Sequence, residues 1–179
     1  MEYEVRFHGL GGEGVVKAAE MLARAAMLDG RWSQSFPFFG TEVRNAPVKA
    51  FTRLSDRPVR KRCYIYGPDI IVVTNHTVLT PDVIADLRDD TRVIVNAPGN
   101  GRLPEMKGAV TALDATSIGY QVFNRPIVNT IVLGAMLKVT PIFPLELIFR
   151  VIDGEFGAEL AAKNRQALQA GYDAIEGGV

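Results

Sequence analysis

Hydrophobic and polar positions along this chain change period several times, and each change predicts an element. Tyr3-Glu4-Val5-Arg6-Phe7 alternates and predicts a strand. A glycine-rich turn follows, then a helix over residues 12–28, in which Lys17, Glu20 and Arg24 form one polar stripe. Val15, Val16, Ala18, Ala19, Met21, Leu22, Ala25 and Ala26 cover the rest of its circumference, so this helix is expected to be buried on most sides. Its many alanines permit close approach to a sheet or to another subunit. Asp29-Gly30 belongs to the turn that ends it, and the next strand starts near Trp32 or Ser33. Residues 35–47, rich in aromatics and turn formers, read as a shaped loop. Beyond them Val48, Ala50, Thr52 and Leu54 alternate with Lys49, Phe51 and Arg53, predicting a strand with one wetter face. Ser55-Asp56-Arg57-Pro58 is a turn, and residues 59–65 are expected to return as the second strand of an antiparallel hairpin.

The remainder reads as alternating strands and helices. The continuous apolar runs at 69–74 and 92–96 suit strands covered on both faces, and 110–113 is a weaker strand. Thr80-Pro81-Asp82 combines a cap, a proline at the first helical position and an acid in the first turn, predicting a helix to about residue 87. Asp114-Ala115-Thr116 marks another helix start. From residue 126 the pattern is helical: Asn129, Leu133, Met136 and Leu137 share one face, 144–152 forms a second helix, and 158–175 a third. The expected fold is α/β: a mostly parallel sheet with helices on both faces, Rossmann-like, with an inserted antiparallel hairpin and a helical C-terminal part. Residues 1–176 are expected to form a single domain and 177–179 a frayed tail.

Composition narrows the function classes. With 179 residues, 47% apolar and 22% charged, the chain suits one well-buried domain. Twenty basic and twenty acidic side chains cancel, which leaves no global field to collect nucleic acid or a membrane surface. Any anion binding must be local. The single cysteine, Cys63, excludes an internal disulfide and an iron–sulfur site built from this chain alone. It lies in an alternating stretch that suggests a half-buried strand, and a buried, inert thiol is expected. No signal or transit peptide is read at the start, and the longest apolar stretch, 127–137, is interrupted by Asn129, Thr130 and Gly134. A cytoplasmic protein is expected.

Candidate chemistry centres on His8-Gly9-Leu10-Gly11-Gly12-Glu13-Gly14, which fits G-x-G-x-x-G between a strand and a helix. Glycines let the backbone approach a ligand, and the unpaired N–H groups of the helix start face an anion. Tight packing of a helix on a strand uses the same residues. A dinucleotide site would want an acidic residue at the end of the second strand, but Ser33-Gln34-Ser35-Phe36-Pro37 has none, which disfavours NAD. Neither His8 nor His76 has a partner acid at motif spacing, so zinc and a nucleophilic triad are unsupported and a structural role is expected for both. His8, just before the turn, could present its imidazole to a ligand. The phosphate loop of nucleotide triphosphatases is absent, as is the Gly-Asp-Gly…Asn motif of thiamine diphosphate binders. Glu42 and Arg44 either pair with each other to shape their loop or face a ligand or partner. Arg53, Arg57, Arg60, Lys61 and Arg62 read as a solvated hairpin face, with a positive patch for a phosphorylated cofactor or an acidic neighbour as the alternative.

Taken together, three segments resemble the gamma subunit of 2-oxoacid:ferredoxin oxidoreductases. Gly9-Leu10-Gly11-Gly12-Glu13-Gly14-Val15-Val16 is similar to the family's G-x-G-G-Q-G-V. Phe36-Pro37-Phe38-Phe39-Gly40-Thr41-Glu42-Val43-Arg44-Asn45-Ala46-Pro47, leading to Phe51-Thr52-Arg53-Leu54-Ser55-Asp56, is similar to P-x-x-G-x-E-x-R-G-[GA]. Asn124-Arg125-Pro126-Ile127-Val128-Asn129-Thr130 with Leu133-Gly134-Ala135 completes the match. Glu13 stands where the family usually has Gln, and Asn45 where it often has Gly.

The resemblance implies a non-catalytic subunit, inactive alone, in a complex that decarboxylates a 2-oxoacid oxidatively with coenzyme A and ferredoxin, or runs the reverse carboxylation. Residues 126–130 look more like the pyruvate branch than the 2-oxoglutarate branch. Alpha, beta and delta-type subunits are the implied partners, carrying thiamine diphosphate and iron–sulfur clusters, and a homodimer of the isolated chain stays open. Coenzyme A is the one cofactor implied for this chain, its phosphate groups received in part by Gly9, Gly11, Gly12, Glu13 and Gly14, with Glu42 and Arg44 beside them. A carboxylate at position 13 weakens such a contact unless it points away or pairs with a cation. A purely structural assembly subunit and an independent nucleotide-binding oxidoreductase are the alternatives.

Overall fold

A computed structural model describes residues 2–38 and 46–175. Six strands form one sheet: β1 (Glu2–Leu10), β2 (Trp32–Phe38), β3 (Pro47–Ser55), β4 (Ile70–Val73), β5 (Arg92–Asn96) and β6 (Ala109–Leu113). The helices are α1 (Val15–Leu28), α2 (Pro81–Ile84), α3 (Ala115–Phe123), α4 (Asn129–Val139), α5 (Leu145–Glu155) and α6 (Ala158–Asp173). The sheet order is β2-β3-β1-β4-β5-β6, with β1, β4, β5 and β6 parallel and β3 antiparallel to both β1 and β2. β3 is therefore the one reversed strand of a mostly parallel sheet, and β2 and β6 are its open edges.

The two faces are covered unequally. Val5 and Phe7 of β1 join Ile70 and Val72 of β4 in a large core shared with α1, α4, α5 and α6, on which α3 also packs. Ile71, Val73, Val93 and Val95 point the other way, into a smaller core closed by Val78, Leu79, Val83 and Leu87. That second face carries the short α2 and the 3-10 turn His76–Val78, with Leu103 and Met106 of an irregular segment also packed against its core. Arg6 and His8 pair with Ile71 and Val73 across the β1–β4 ladder, so they belong to the second face. On the first face Lys17 and Arg24 of α1 both pair with Glu155 of α5, Lys17 at 2.6 Å, which ties the first helix to the fifth.

Several expectations need correction. The hairpin consists of β2 and β3, paired from Trp32–Ser55 to Phe38–Lys49. Residues 35–38, expected in a loop, finish β2, whereas residues 59–65, expected to be a strand, form none. The cause is long-range. β3 fills both of its ladder positions, with β2 on one side and β1 on the other, which leaves no edge for a later segment.

Nor does β3 have a wet face: Arg53 is 0% exposed. Its guanidinium donates to the Glu4 carboxylate at 2.7 Å, Gln34 Oε1 at 3.2 Å, the Cys63 carbonyl at 2.8 Å and the Tyr64 carbonyl at 3.2 Å. Burial pushes the Glu4 carboxyl up, but Arg53 and Lys61 outweigh that and hold it below its ordinary value. Arg6, buried beside it on β1, donates through both terminal nitrogens to Asp86, at 2.7 and 2.8 Å, and to the Val83 carbonyl at 2.8 Å. Cys63 is exposed on irregular backbone, where a buried thiol on a half-buried strand was expected. The helices also begin or end within a few residues of their expected limits, α1 at Val15 and α6 at Asp173. The tail at 177–179 lies outside the described residues.

Candidate cofactor cleft

Where β1, β4 and β5 end at their C-terminal edges, the backbone turns away in three directions and leaves a cleft of about 580 Å3. Open parallel sheets bind ligands at this edge because the turns diverge there and helix N-termini face inward. The floor comes from Gly11, Gly12 and Glu13 after β1, from Thr74, Asn75, His76 and Thr77 after β4, and from Asn96 and Pro98 at the end of β5. Thr116 of α3, with Pro126 and Val128 ahead of α4, closes the far side.

Glu13 organises the near wall. Its carboxylate accepts from the Leu10 N–H at 2.8 Å, the Thr74 hydroxyl at 2.6 Å and the Asn75 side-chain amide at 2.8 Å. Asn75 in turn caps the 3-10 turn, accepting from the Thr77 N–H and hydroxyl at 3.1 and 2.7 Å. A second set spans β5: Asn96 donates to the Thr74 carbonyl and to the Thr116 hydroxyl, both at 2.9 Å. Glu13 is thus neither free nor paired with a cation; neutral donors surround it. Among the described residues no lysine or arginine lines the cleft, and the one charge they give it is negative.

The glycines of the turn serve this geometry in different ways. Gly12 and Gly14 take φ of 97° and 77°, a left-handed conformation that L side chains rarely adopt. A Cβ on Gly9 would run into the Thr74 hydroxyl, Val15 and the Glu13 carboxylate, the groups that build the network. Gly14, as N-cap, offers no side chain to α1, and Val128 gives none to α4, so both helix starts bordering the cleft lack a side-chain cap. α3 differs, because Asp114 caps it by accepting from the Ser117 N–H at 2.8 Å.

Of the residues expected at the site, Gly11, Gly12 and Glu13 line the cleft, while Gly9 and Gly14 shape it from behind. Glu42 and Arg44 lie outside the described residues. His8 is absent from the lining and buried in the second face, where its Nε2 has no hydrogen-bond partner. Burial foremost, then Arg6 and Lys49, push its pKa down to about 3, so the ring is neutral. His76 does line the cleft; its Nδ1 is buried without a partner, and its ring packs against Gly101, whose Cβ would come within 2.9 Å of Nε2. Thr74, Asn75, Thr77, Asn96 and Thr116 were missed. Their one signal is position, since Thr74, Asn75 and Asn96 end or follow apolar strands at the ligand-binding edge.

Residues 4–174 match the family model described as pyruvate ferredoxin/flavodoxin oxidoreductase. Pyruvate synthase subunit PorC of Methanothermobacter thermautotrophicus is 44% identical over 97% of this chain and 96% of its own. The common gamma subunit of the pyruvate and ketoisovalerate oxidoreductases of Pyrococcus furiosus is 42% identical over 97% of each. The crystal structure of pyruvate oxidoreductase subunit PORC from Thermotoga maritima superposes with a TM-score of 0.87 at 34% identity, covering 98% of this chain and 97% of that one. The fold is also that of 31% of a chain of the 2-oxoglutarate:ferredoxin oxidoreductase from Magnetococcus marinus, solved with 2-oxoglutarate, coenzyme A and succinyl-CoA bound, at a TM-score of 0.80, 19% identity and 97% coverage of this chain. The chain belongs to the pyruvate ferredoxin/flavodoxin oxidoreductase family, and over nearly its whole length it corresponds to the gamma chain of these enzymes.

Proposed function

We propose that this chain is the gamma subunit of a pyruvate-type 2-oxoacid:ferredoxin oxidoreductase, and that its cleft receives the uncharged part of coenzyme A. The observation that carries the ligand reading is the lining formed by the described residues: hydroxyls, side-chain amides and an imidazole, no cation, and one carboxylate already satisfied by three donors. Such a surface suits the amides and hydroxyl of a pantetheine arm, or an adenine edge, better than a phosphate. The phosphates would then need a cation that the described lining does not supply, and Arg44 is the arginine that the resemblance offers for them. In the overall reaction a 2-oxoacid and coenzyme A give an acyl-CoA and carbon dioxide, while two electrons pass to ferredoxin. Thiamine diphosphate and the iron–sulfur clusters belong to the alpha, beta and delta-type partners in this reading, which agrees with the missing thiamine diphosphate motif. That the Pyrococcus furiosus gamma subunit is common to two oxidoreductases supports selection of the 2-oxoacid by other subunits.

Titrating the assembled complex with coenzyme A tests the reading. Asn96→Leu with Thr116→Val removes the polar far wall and is expected to weaken binding about tenfold or more. Glu13→Gln removes the one charge that the described residues give the cleft. Affinity within about twofold of wild type fits an uncharged occupant, whereas a gain of about tenfold would put a phosphate at the turn. If neither variant alters affinity, the chain has a purely structural role.

A further inference from the structure

Outside the cleft, residues 57–66 form a long, mostly exposed stretch that lacks regular structure yet is tied to buried groups. Ordering such a segment costs backbone freedom at every residue, with no ladder to offset it. Two buried cations supply the fastening. Arg53 donates to the carbonyls of Cys63 and Tyr64, and Arg6 approaches the carbonyl of Ile65 at 3.5 Å. Ile65 itself is buried, and Asp86, held by Arg6, accepts from the Gly67 N–H at 3.1 Å. Burial pushes the Asp86 carboxyl up, but Arg6 and Gly67 outweigh it and keep it ionised below its ordinary value.

What this fastening displays is cationic and aromatic. Arg57, Arg60, Lys61 and Arg62 are exposed; Lys61 pairs with Glu2 and Glu4 at 3.1 and 3.3 Å, whereas Arg60 and Arg62 have no carboxylate partner among the described residues. Tyr64 stacks on Phe51 with centroids 5.4 Å apart and meets Phe38 at 5.3 Å, continuing a slab that includes Phe36. Phe38 and Tyr64 of this slab stay open to solvent, and Tyr66, two residues beyond Tyr64, is 71% exposed. Arginine and tyrosine are the side chains that dominate protein interfaces, since both bring large area with little rotamer loss per contact. On a chain of net charge zero, two unpaired guanidinium forks beside this slab select a surface bearing carboxylates.

We infer that residues 57–66 with Phe38 form a docking surface for the acidic face of another protein subunit, Arg60 and Arg62 pairing with its carboxylates and Tyr64 and Tyr66 packing on its apolar part. The inference rests on the subunit reading above. It is tested by co-expressing the chain with its alpha, beta and delta-type subunits and measuring assembly by size exclusion at low and high salt. Arg60→Glu with Arg62→Glu, with an unchanged melting temperature, is expected to weaken assembly about tenfold or more, and Arg60→Lys with Arg62→Lys to weaken it far less. Added salt should weaken the wild type and leave the reversed variant less affected. Equal assembly by wild type and the charge-reversed variant overturns the surface and leaves the subunit reading standing. Failure of the wild-type chain to assemble overturns both.

Discussion

Two buried residues on the second face set opposite expectations. Arg53 has every terminal nitrogen engaged, so Arg53→Met leaves the Glu4 carboxylate to the exposed Lys61 and frees the carbonyls of Cys63 and Tyr64. Removing one partner of a buried pair costs about 3–5 kcal/mol, and urea unfolding should show a loss of that order, with Lys unable to restore it because it lacks the fork. A loss below about 1 kcal/mol would mean that the network is ornamental. His8 acts through protons instead. Folded, it titrates near 3, so the unfolded chain takes up its proton as pH falls below about 6.5 while the native chain does not. Stability is therefore lost from about pH 6.5 downward, by up to about 1.4 kcal/mol per pH unit from this residue, and the loss levels off near pH 3. Glu4 and Asp86, held low, add their own losses only at more acidic pH. Between pH 6.5 and 5 the slope belongs to His8, and His8→Gln should flatten it; an unchanged slope would remove His8 as the cause.

At the scale of elements, glycines bring α4 and α6 into close contact. Gly134 of α4 lies against the Leu168 carbonyl of α6, and Gly171 of α6 against the Ile131 carbonyl of α4, with no room for a Cβ on either. Gly171→Ala should thus destabilise by at least about 1–3 kcal/mol. Gly154 of α5 faces open space, and there the same change should stabilise by roughly 0.5–1 kcal/mol through helix propensity alone. Thermal melts of the two variants moving in the same direction would refute this account of the packing. Sequence was a good guide wherever a local rule governs. The unbroken apolar runs of β4 and β5 mark strands covered on both faces, and Asp114 marks the start of α3 through its own cap. It misled where distant partners decide. Residues 59–65 alternate like a strand, but both positions beside β3 are taken. Arg53 reads as a surface residue because nothing near it in sequence announces Glu4 or the Tyr64 carbonyl. The cleft divides in the same way: the glycine turn is a contiguous motif, whereas Thr74, Asn96 and Thr116 meet only after the sheet has assembled.

For the whole molecule, function is a matter of what remains uncovered. No helix among the described residues is long and apolar enough to cross a membrane. The uncovered features are the cleft at one edge of the strands, the cationic and aromatic segment on the second face, and the outer edge of β2. That last edge has a consequence for handling the protein. β2, Trp32-Ser33-Gln34-Ser35-Phe36-Pro37-Phe38, has no charged side chain, exposes Trp32 and Phe38, and leaves its outward N–H and C=O groups without a sheet neighbour. Pro37 blunts this edge at a single position. Produced without its partners, the chain should therefore associate edge to edge with its own copies and lose solubility as concentration rises. Trp32→Lys should shift its sedimentation toward the monomer, and a wild-type chain that stays monomeric at high concentration would contradict the expectation. Purification as a single subunit is then the hard route, and co-production with whatever covers β2 the practical one.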